Sequence, residues 1–153
     1  MLMIRISSLD LKEKAVPLHK TMDMFITSML TEGLSYTSRM TITASHSAKA
    51  LGSGDLEVCG TPAMMALMEN AAMLAVAGHM PEGCTTVGGH IESSHLKPTK
   101  IGAEIEATAT LTKIDGKKLH FNVEAKEGDT VIGRGTHLRF IVHKEKFMSN
   151  CNQ

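Results

Sequence analysis

The chain has 153 residues, 42% of them apolar, enough for one domain with a full hydrophobic core. Sixteen basic and sixteen acidic residues cancel, so no net field draws the protein toward nucleic acid or an anionic membrane. Three cysteines without a C-x-x-C pair, and no run of eighteen apolar residues, argue against a disulfide framework and a membrane-spanning helix.

The unpaired cysteines point to a reducing cytoplasm. The first residues carry one arginine but no continuous apolar stretch, so no signal peptide is expected. Residues 1–20 show no sustained period. Met22, Phe25, Ile26, Met29 and Leu30 then repeat at helical spacing between Thr21 and Gly33, which predicts a short amphipathic helix. Ser35–Thr43 reads as a first strand, 44–51 as part helix and part loop, and Gly52-Ser53-Gly54-Asp55 as a break.

Leu56–Cys59 lead into Thr61–His79, a helix of about four and a half turns. Thr61 is a candidate cap, Pro62 suits the first turn, and Gly78 with Pro81 closes the helix. Apolar side chains run all the way round it, which predicts a helix enclosed by other elements. Glu69 sits among them, with Met65 one turn before, Met73 one turn after and no cation at i±3 or i±4. An unpaired buried carboxylate costs several kcal/mol or stays protonated, so Glu69 is expected to have a partner or a task. The bland alternative is a carboxylate reaching a solvated groove.

Pro81-Glu82-Gly83 turns the chain into a β-rich run, Cys84–Lys97, whose Gly88-Gly89 predicts a bulge or a close approach. Ala103–Lys113 alternates, with Ile105, Ala107, Ala109 and Leu111 on one face. Asp115-Gly116 is a hairpin turn, and Lys118–Lys126 places Leu119, Phe121, Val123 and Ala125 on the core face. After a turn at Glu127-Gly128-Asp129, Val131–Val142 is a long last strand with Ile132, Leu138, Phe140 and Val142 in phase. Arg134, His137, Arg139, His143, Lys144 and Lys146 gather near its end, as a phosphate site or a charged edge strand. The tail 144–153 is polar and expected to fray. This order predicts an α+β fold in which a curved antiparallel sheet wraps one long helix.

Several residues along this frame can carry chemistry. Thr61 precedes Glu69 by eight residues, about 12 Å along a helix, and its hydroxyl is either a plain cap or a functional group. His95 is a structural or a proton-carrying histidine. Gly88-Gly89 presents backbone N–H groups to an oxyanion or simply bends the strand. Cys59, ahead of a helix N-terminus, is a nucleophile or a small buried thiol. His137 and His143 are roughly 20 Å apart on one strand, so no metal site is expected.

Three separated motifs then keep one register. They are Gly54-Asp55-Leu56-Glu57-Val58-Cys59-Gly60 running through Thr61-Pro62 to Glu69, the spaced Gly88…Ser93-Ser94-His95…Pro98, and Gly135-Thr136-His137-Leu138-Arg139 through to Phe147. From about Leu34 to Phe147 the chain resembles hot-dog thioesterases of the fluoroacetyl-CoA thioesterase-like branch. The resemblance implies a hot-dog domain over 34–147, with residues 1–33 an extension and 148–153 a tail. It implies Thr61, Glu69 and His95 as catalytic residues, and Gly88 and Arg139 as substrate contacts. The implied reaction hydrolyses a short or small acyl-CoA to free acid and CoA, with no cofactor beyond the coenzyme A of the substrate. Glu69 would attack the thioester or act as base on water, His95 would move the proton, and Thr61 would orient the carboxylate or the intermediate. Cys59-Gly60 stands before Thr61 without the family's pocket aromatics, which implies an acyl group other than fluoroacetyl. The implied assembly is a homodimer or a dimer of dimers, with no nucleic-acid or membrane partner. Two alternatives are an acyl-CoA-binding module without turnover and a hot-dog hydratase or dehydratase. Against the second, His79 is ten residues from Glu69, beyond reach along the helix.

Overall fold

The period-two runs become five strands: β1 (Ser35–Thr41), β2 (Cys84–His95), β3 (Glu104–Asp115), β4 (Lys118–Glu127) and β5 (Thr130–His143). They form one antiparallel sheet in the order β1-β3-β4-β5-β2, so β1 and β2 are its edges. Two-residue turns join β3 to β4 and β4 to β5. Gly116 and Gly128 open them at φ +57° and +55°, a left-handed conformation that glycine adopts without strain. The computed structural model describes residues 20–21, 24–25 and 28–153. Within the helix expected near residues 22–30, residues 20, 21, 24, 25 and 28 are helical, while Met22 and Ile26 lie outside the described residues. Leu30 is buried in the core.

Ahead of the central helix, a 3-10 turn (Ala44–His46) leads into the short helix α1 (Ala48–Leu51), matching the mixed reading of this stretch. Ser47 caps α1 by accepting from the Ala50 N–H at 3.0 Å. The central helix α2 (Thr61–Ala77) packs chiefly on β1 and β3. Its Met64, Met68, Ala71, Ala72 and Val76 meet the inward residues of β3 and β4, including Leu111, Leu119 and Phe121, all essentially dry. Alanines on both surfaces bring the helix close to the sheet, and flexible methionines fill the remaining gaps.

The helix is not enclosed on every side, as its composition suggested. The sheet covers one side only. On the other, Pro62, Ala66, Asn70 and Ala77 are exposed and Met65, Glu69 and Met73 half-buried, a stripe at helical spacing with an apolar majority.

The last strand also departs from expectation. Ala125 faces Gly133 while Lys126 faces Val131, so Ile132 is an extra residue that breaks the register. Such a bulge reverses which side chains point inward. Ile132 is buried, but beyond it the inward residues are His137, Arg139 and Ile141, and Leu138, Phe140 and Val142 take the other face. Nor is β5 a charged edge, because it runs between β4 and β2. The tail does not fray: Lys144–Cys151 forms an exposed helix, α3, which carries Glu145 in its first turn where the helix dipole favours an acid.

Glycines let β2 lie tightly on β5. A Cβ at Gly135 would collide with the Glu92 backbone, which cannot swing aside, whereas one at Gly78 would meet nothing within 4 Å. Gly135→Ala should therefore destabilise by about 2–4 kcal/mol, whereas Gly78→Ala, at a helical φ of −71°, should be neutral or slightly stabilising. Thermal melts of the two variants test this, and equal melting temperatures would refute the packing argument.

Candidate active site

The cap of α2 is Gly60, and Thr61 and Pro62 are the first helical residues. The Thr61 hydroxyl is therefore not a cap. It lies 2.8 Å from His95 Nδ1, at the last residue of β2. The end of that strand is fixed by the Leu96 N–H donating to the Ile132 carbonyl at 2.7 Å. Thr61 and His95 share a cavity of about 350 Å³ with Ala48, Val58, Cys59 and Lys97. On the far side of the ring, His95 Nε2 is buried and has no hydrogen-bond partner among the described residues. Buried polar atoms are rarely left so, and this one is available to a ligand. Cys59 is the small buried thiol of the two readings. Burial pushes its pKa above 9.0, against a smaller lowering by the Met64 backbone N–H, so it stays protonated and is no nucleophile.

Glu69 follows Thr61 by two turns of helix, about 12 Å along the axis, so one chain does not bring it to the Thr61–His95 pair. Its side chain is 42% exposed, at the half-open edge of the helix rather than inside a closed cylinder. The carboxylate lies over β2 at Gly88. A Cβ at that position would come within 2.6 Å of Glu69 Oε1, so only glycine leaves room for it. The bulge expected at Gly88-Gly89 is present: the register of β2 on β5 shifts between Gly88 and His90, and the Phe140 ring covers Gly89.

Arg139 is the cross-strand partner of Gly88 and is only 6% exposed. Its Nε donates to Thr86 Oγ1 and its Nη2 to the Thr86 carbonyl, both at 2.8 Å. Its Nη1 reaches His137 Nε2 at 3.1 Å and the Glu69 backbone carbonyl at 3.5 Å. Burial lowers its pKa while the nearby Glu69 charge raises it, and a guanidinium remains charged in either case. Together with Ala66, Met73 and Val87, the residues Glu69, Gly88 and Arg139 line a cleft of about 420 Å³.

His137 was visible in the sequence only as one member of a basic cluster. Its side chain is fully buried, with Nδ1 donating to the His90 carbonyl at 2.7 Å and the ring 6.5 Å from that of Phe121. Burial pulls its pKa below the ordinary 6.5. The His90 carbonyl opposes this, the Arg139 charge adds to it, the Glu69 charge opposes it, and His90 adds a smaller lowering. It is neutral near pH 7, so its 3.7 Å contact with Glu69 Oε1 is not an ion pair. A two-residue step from Gly133 and Gly135 to positions 137, 139 and 141 was the available signal. Among the described residues no three His, Cys, Asp or Glu side chains converge as a metal site.

Comparison with known proteins adds to this geometry. Residues 38–145 match the family model described as "FlK: Fluoroacetyl-CoA-specific thioesterase". The fluoroacetyl-CoA thioesterase of Streptantibioticus cattleyicolor is 36% identical over 97 residues, 63% of this chain and 70% of that protein. A crystal structure of an FlK variant with acetyl-CoA superposes with a TM-score of 0.77 at 28% identity, over 81% of this chain and 98% of that one. Another FlK variant, with fluoroacetate and CoA, gives 0.73 at 30% identity, over 77% and 99%. A Thermus thermophilus hypothetical protein of the thioesterase superfamily shares the fold with a TM-score of 0.74 at 24% identity, over 80% and 90%.

Two outcomes follow from the geometry. Because the folded pKa of His137 lies below the unfolded value of 6.5, the unfolded chain binds the proton more readily. The stability that the neutral ring contributes is complete above pH 6.5 and is lost as pH falls through the folded value. The melting temperature should therefore drop on acidification below that point, and His137→Gln should flatten the drop; parallel curves would contradict the assignment. Gly88→Ala should lower the melting temperature only modestly, since the added methyl meets the end of the flexible Glu69 side chain first and the His137 ring only at 3.3 Å. Its crystal structure should show the Glu69 carboxylate displaced, and an unmoved carboxylate would contradict the close approach.

Proposed function

The chain belongs to the fluoroacetyl-CoA-specific thioesterase family, and on that premise we propose that it hydrolyses short acyl-CoA thioesters with Glu69 as the reacting carboxylate. The observation that carries this reading is Glu69 itself, lying against Gly88 in the cleft with no Lys or Arg ion pair to its carboxylate among the described residues. A carboxylate left unpaired beside an apolar cleft is poised to attack or to activate water.

In the covalent route, a Glu69 oxygen adds to the thioester carbon and the C–S bond breaks. This gives a mixed anhydride and the CoA thiolate, which takes a proton from His95. Water then adds to the anhydride, His95 accepts its proton, and the acid departs as Glu69 is released. In the alternative route, Glu69 removes the proton from a water that attacks the carbonyl directly. Thr61 orients His95 through their hydrogen bond and faces the intermediate. Backbone N–H groups at the start of α2 or at Gly88 stabilise the oxyanion, helped by the fixed Arg139 charge beside the acyl group. The chemistry calls for no metal or redox group.

A second copy of the chain completes this site. Within one protomer, Thr61 and His95 stand two helical turns from Glu69. The uncovered stripe of α2, with Pro62, Met65, Ala66 and Met73, is an apolar surface that needs a partner. Two copies related by a two-fold axis, with helices antiparallel, place the Thr61–His95 pair of one against Glu69 of the other. Each homodimer, alone or within a dimer of dimers, thus carries two shared sites. Of the related FlK structures, one holds acetyl-CoA and another fluoroacetate with CoA, which supports CoA thioesters as the substrate class. The modest cleft, walled by Ala66, Met73 and Val87 without an aromatic side chain, favours short acyl groups chosen by length. The three free thiols fit a reducing cytoplasm, and no described helix is long and apolar enough to cross a membrane.

Thiol release from acyl-CoAs of about two to eight carbons tests the reading, since each methylene in an apolar pocket changes transition-state binding by about 1–3 kcal/mol. Short chains should turn over best. CoA binding without thiol release would point to a binding module, and fastest hydrolysis of palmitoyl-CoA would overturn the short-chain assignment. Glu69→Gln should lower kcat by about two to four orders of magnitude in a protein that still melts cooperatively. Mixing the inactive Glu69→Gln and His95→Ala variants should restore part of the activity, because mixed dimers then hold one intact site. No recovery would mean that both residues act within one chain.

A further inference from the structure

An arginine this close to a carboxylate ordinarily closes a short, bidentate ion pair. Arg139 and Glu69 do not. Among the described residues no salt bridge joins the guanidinium to the carboxylate, and Arg139 reaches only the backbone carbonyl of Glu69. Three of its four remaining N–H groups are held by the Thr86 hydroxyl, the Thr86 carbonyl and His137 Nε2.

The protonation of His137 follows from its two partners. The His90 carbonyl can only accept, so Nδ1 carries the hydrogen. Arg139 can only donate, so Nε2 presents its lone pair. The ring is a neutral acceptor fixed at both ends, and the Phe121 ring lies beside it. Nε2 also lies 3.7 Å from Glu69 Oε1, too far for a hydrogen bond. With no hydrogen on Nε2 to offer, the ring does not bond the carboxylate, which lies against Gly88.

We propose that His137 is a positioning residue that ties the Arg139 guanidinium back from the Glu69 carboxylate and so keeps that carboxylate free to react. Its effect on turnover rests on the reading of Glu69 given above. The groups that act on this arrangement are Arg139 and Glu69 themselves and, from β2, His90, whose charge bears on His137. The central helix adds no cation within a turn of Glu69.

The test separates the two nitrogens. In His137→Asn the side chain can still bond to His90 but is too short to accept from Arg139. In His137→Gln an amide oxygen stands near the lost Nε2. The asparagine variant should lose at least about tenfold in kcat with KM little changed, and glutamine should recover most of it. A crystal structure of His137→Asn should show Arg139 paired with the Glu69 carboxylate. Nitrogen NMR of the wild-type ring should show the neutral Nδ1–H tautomer near pH 7, a readout that needs neither a variant nor catalysis. An Nε2–H tautomer or an imidazolium would overturn the proposal. So would an asparagine variant in which Arg139 stays in place. If asparagine does not fold, a folded glutamine variant with Arg139 in place but kcat lost would overturn it equally. An Arg139–Glu69 ion pair that forms with no loss of turnover would instead refute the role of Glu69 and leave the positioning intact.

Discussion

One extra residue in β5 decides what faces the inside of this protein. Ile132 has no counterpart on β4, and that single insertion reverses the alternation of the strand beyond it. Without it, Leu138, Phe140 and Val142 would point at the helix and the sheet would offer an unbroken apolar wall. With it, His137 and Arg139 come in below Glu69, and three aliphatic or aromatic side chains go to the opposite face. Burying a guanidinium costs several kcal/mol unless its donors are satisfied, and Thr86, His137 and the Glu69 carbonyl supply that satisfaction. The polar floor of the cleft is thus a consequence of strand geometry before it is one of chemistry.

The central helix shows the complementary constraint. Its sheet-facing side is alanine and methionine, small enough for close approach and soft enough to fill gaps. Its outer side is nearly as apolar, so the chain alone leaves hydrophobic surface in water. Thr61 and Glu69 are set on this rod at a spacing too long for mutual contact and suited to a two-fold arrangement. The exposed stripe and the divided polar groups are the two features on which the proposed dimer rests.

Most of the frame was legible in the residues. The alternations of β3 and β4 named their buried side chains correctly, because each strand packs one face on the helix and leaves the other toward water. The glycine pair in β2 announced a bulge. The phase of β5 was not legible, since a bulge is set by pairing with a neighbouring strand and leaves only Gly133 and Gly135 as a trace. The residues alone left Thr61 open between a cap and a functional group, because the choice turns on a distant partner, His95, which local spacing does not contain. His137 stayed hidden for the same reason: its neutral, buried state is created by Arg139 and His90 across the sheet. The tail helix was missed because it is only eight residues long, and Phe147, Met148 and Cys151 are too few apolar positions to establish a period.

The position of β2 also orders events in time. The strands β3, β4 and β5 follow one another through two-residue turns, and such hairpins close in about 1–10 μs. The strand β2 precedes them in the chain but pairs only with β5, the last to emerge. Its pairing with β5 closes a long loop, and only the pairing of β1 with β3 closes a longer one. Gly88 therefore meets Arg139 only through non-local pairing, which forms more slowly than the β3-β4 and β4-β5 hairpins. Segments with few buried contacts and exposed backbone hydrogen bonds open at lower cost than the core. The cleft lies beside one of the two strands joined to the sheet by non-local pairing alone, with a neighbouring strand on one side only.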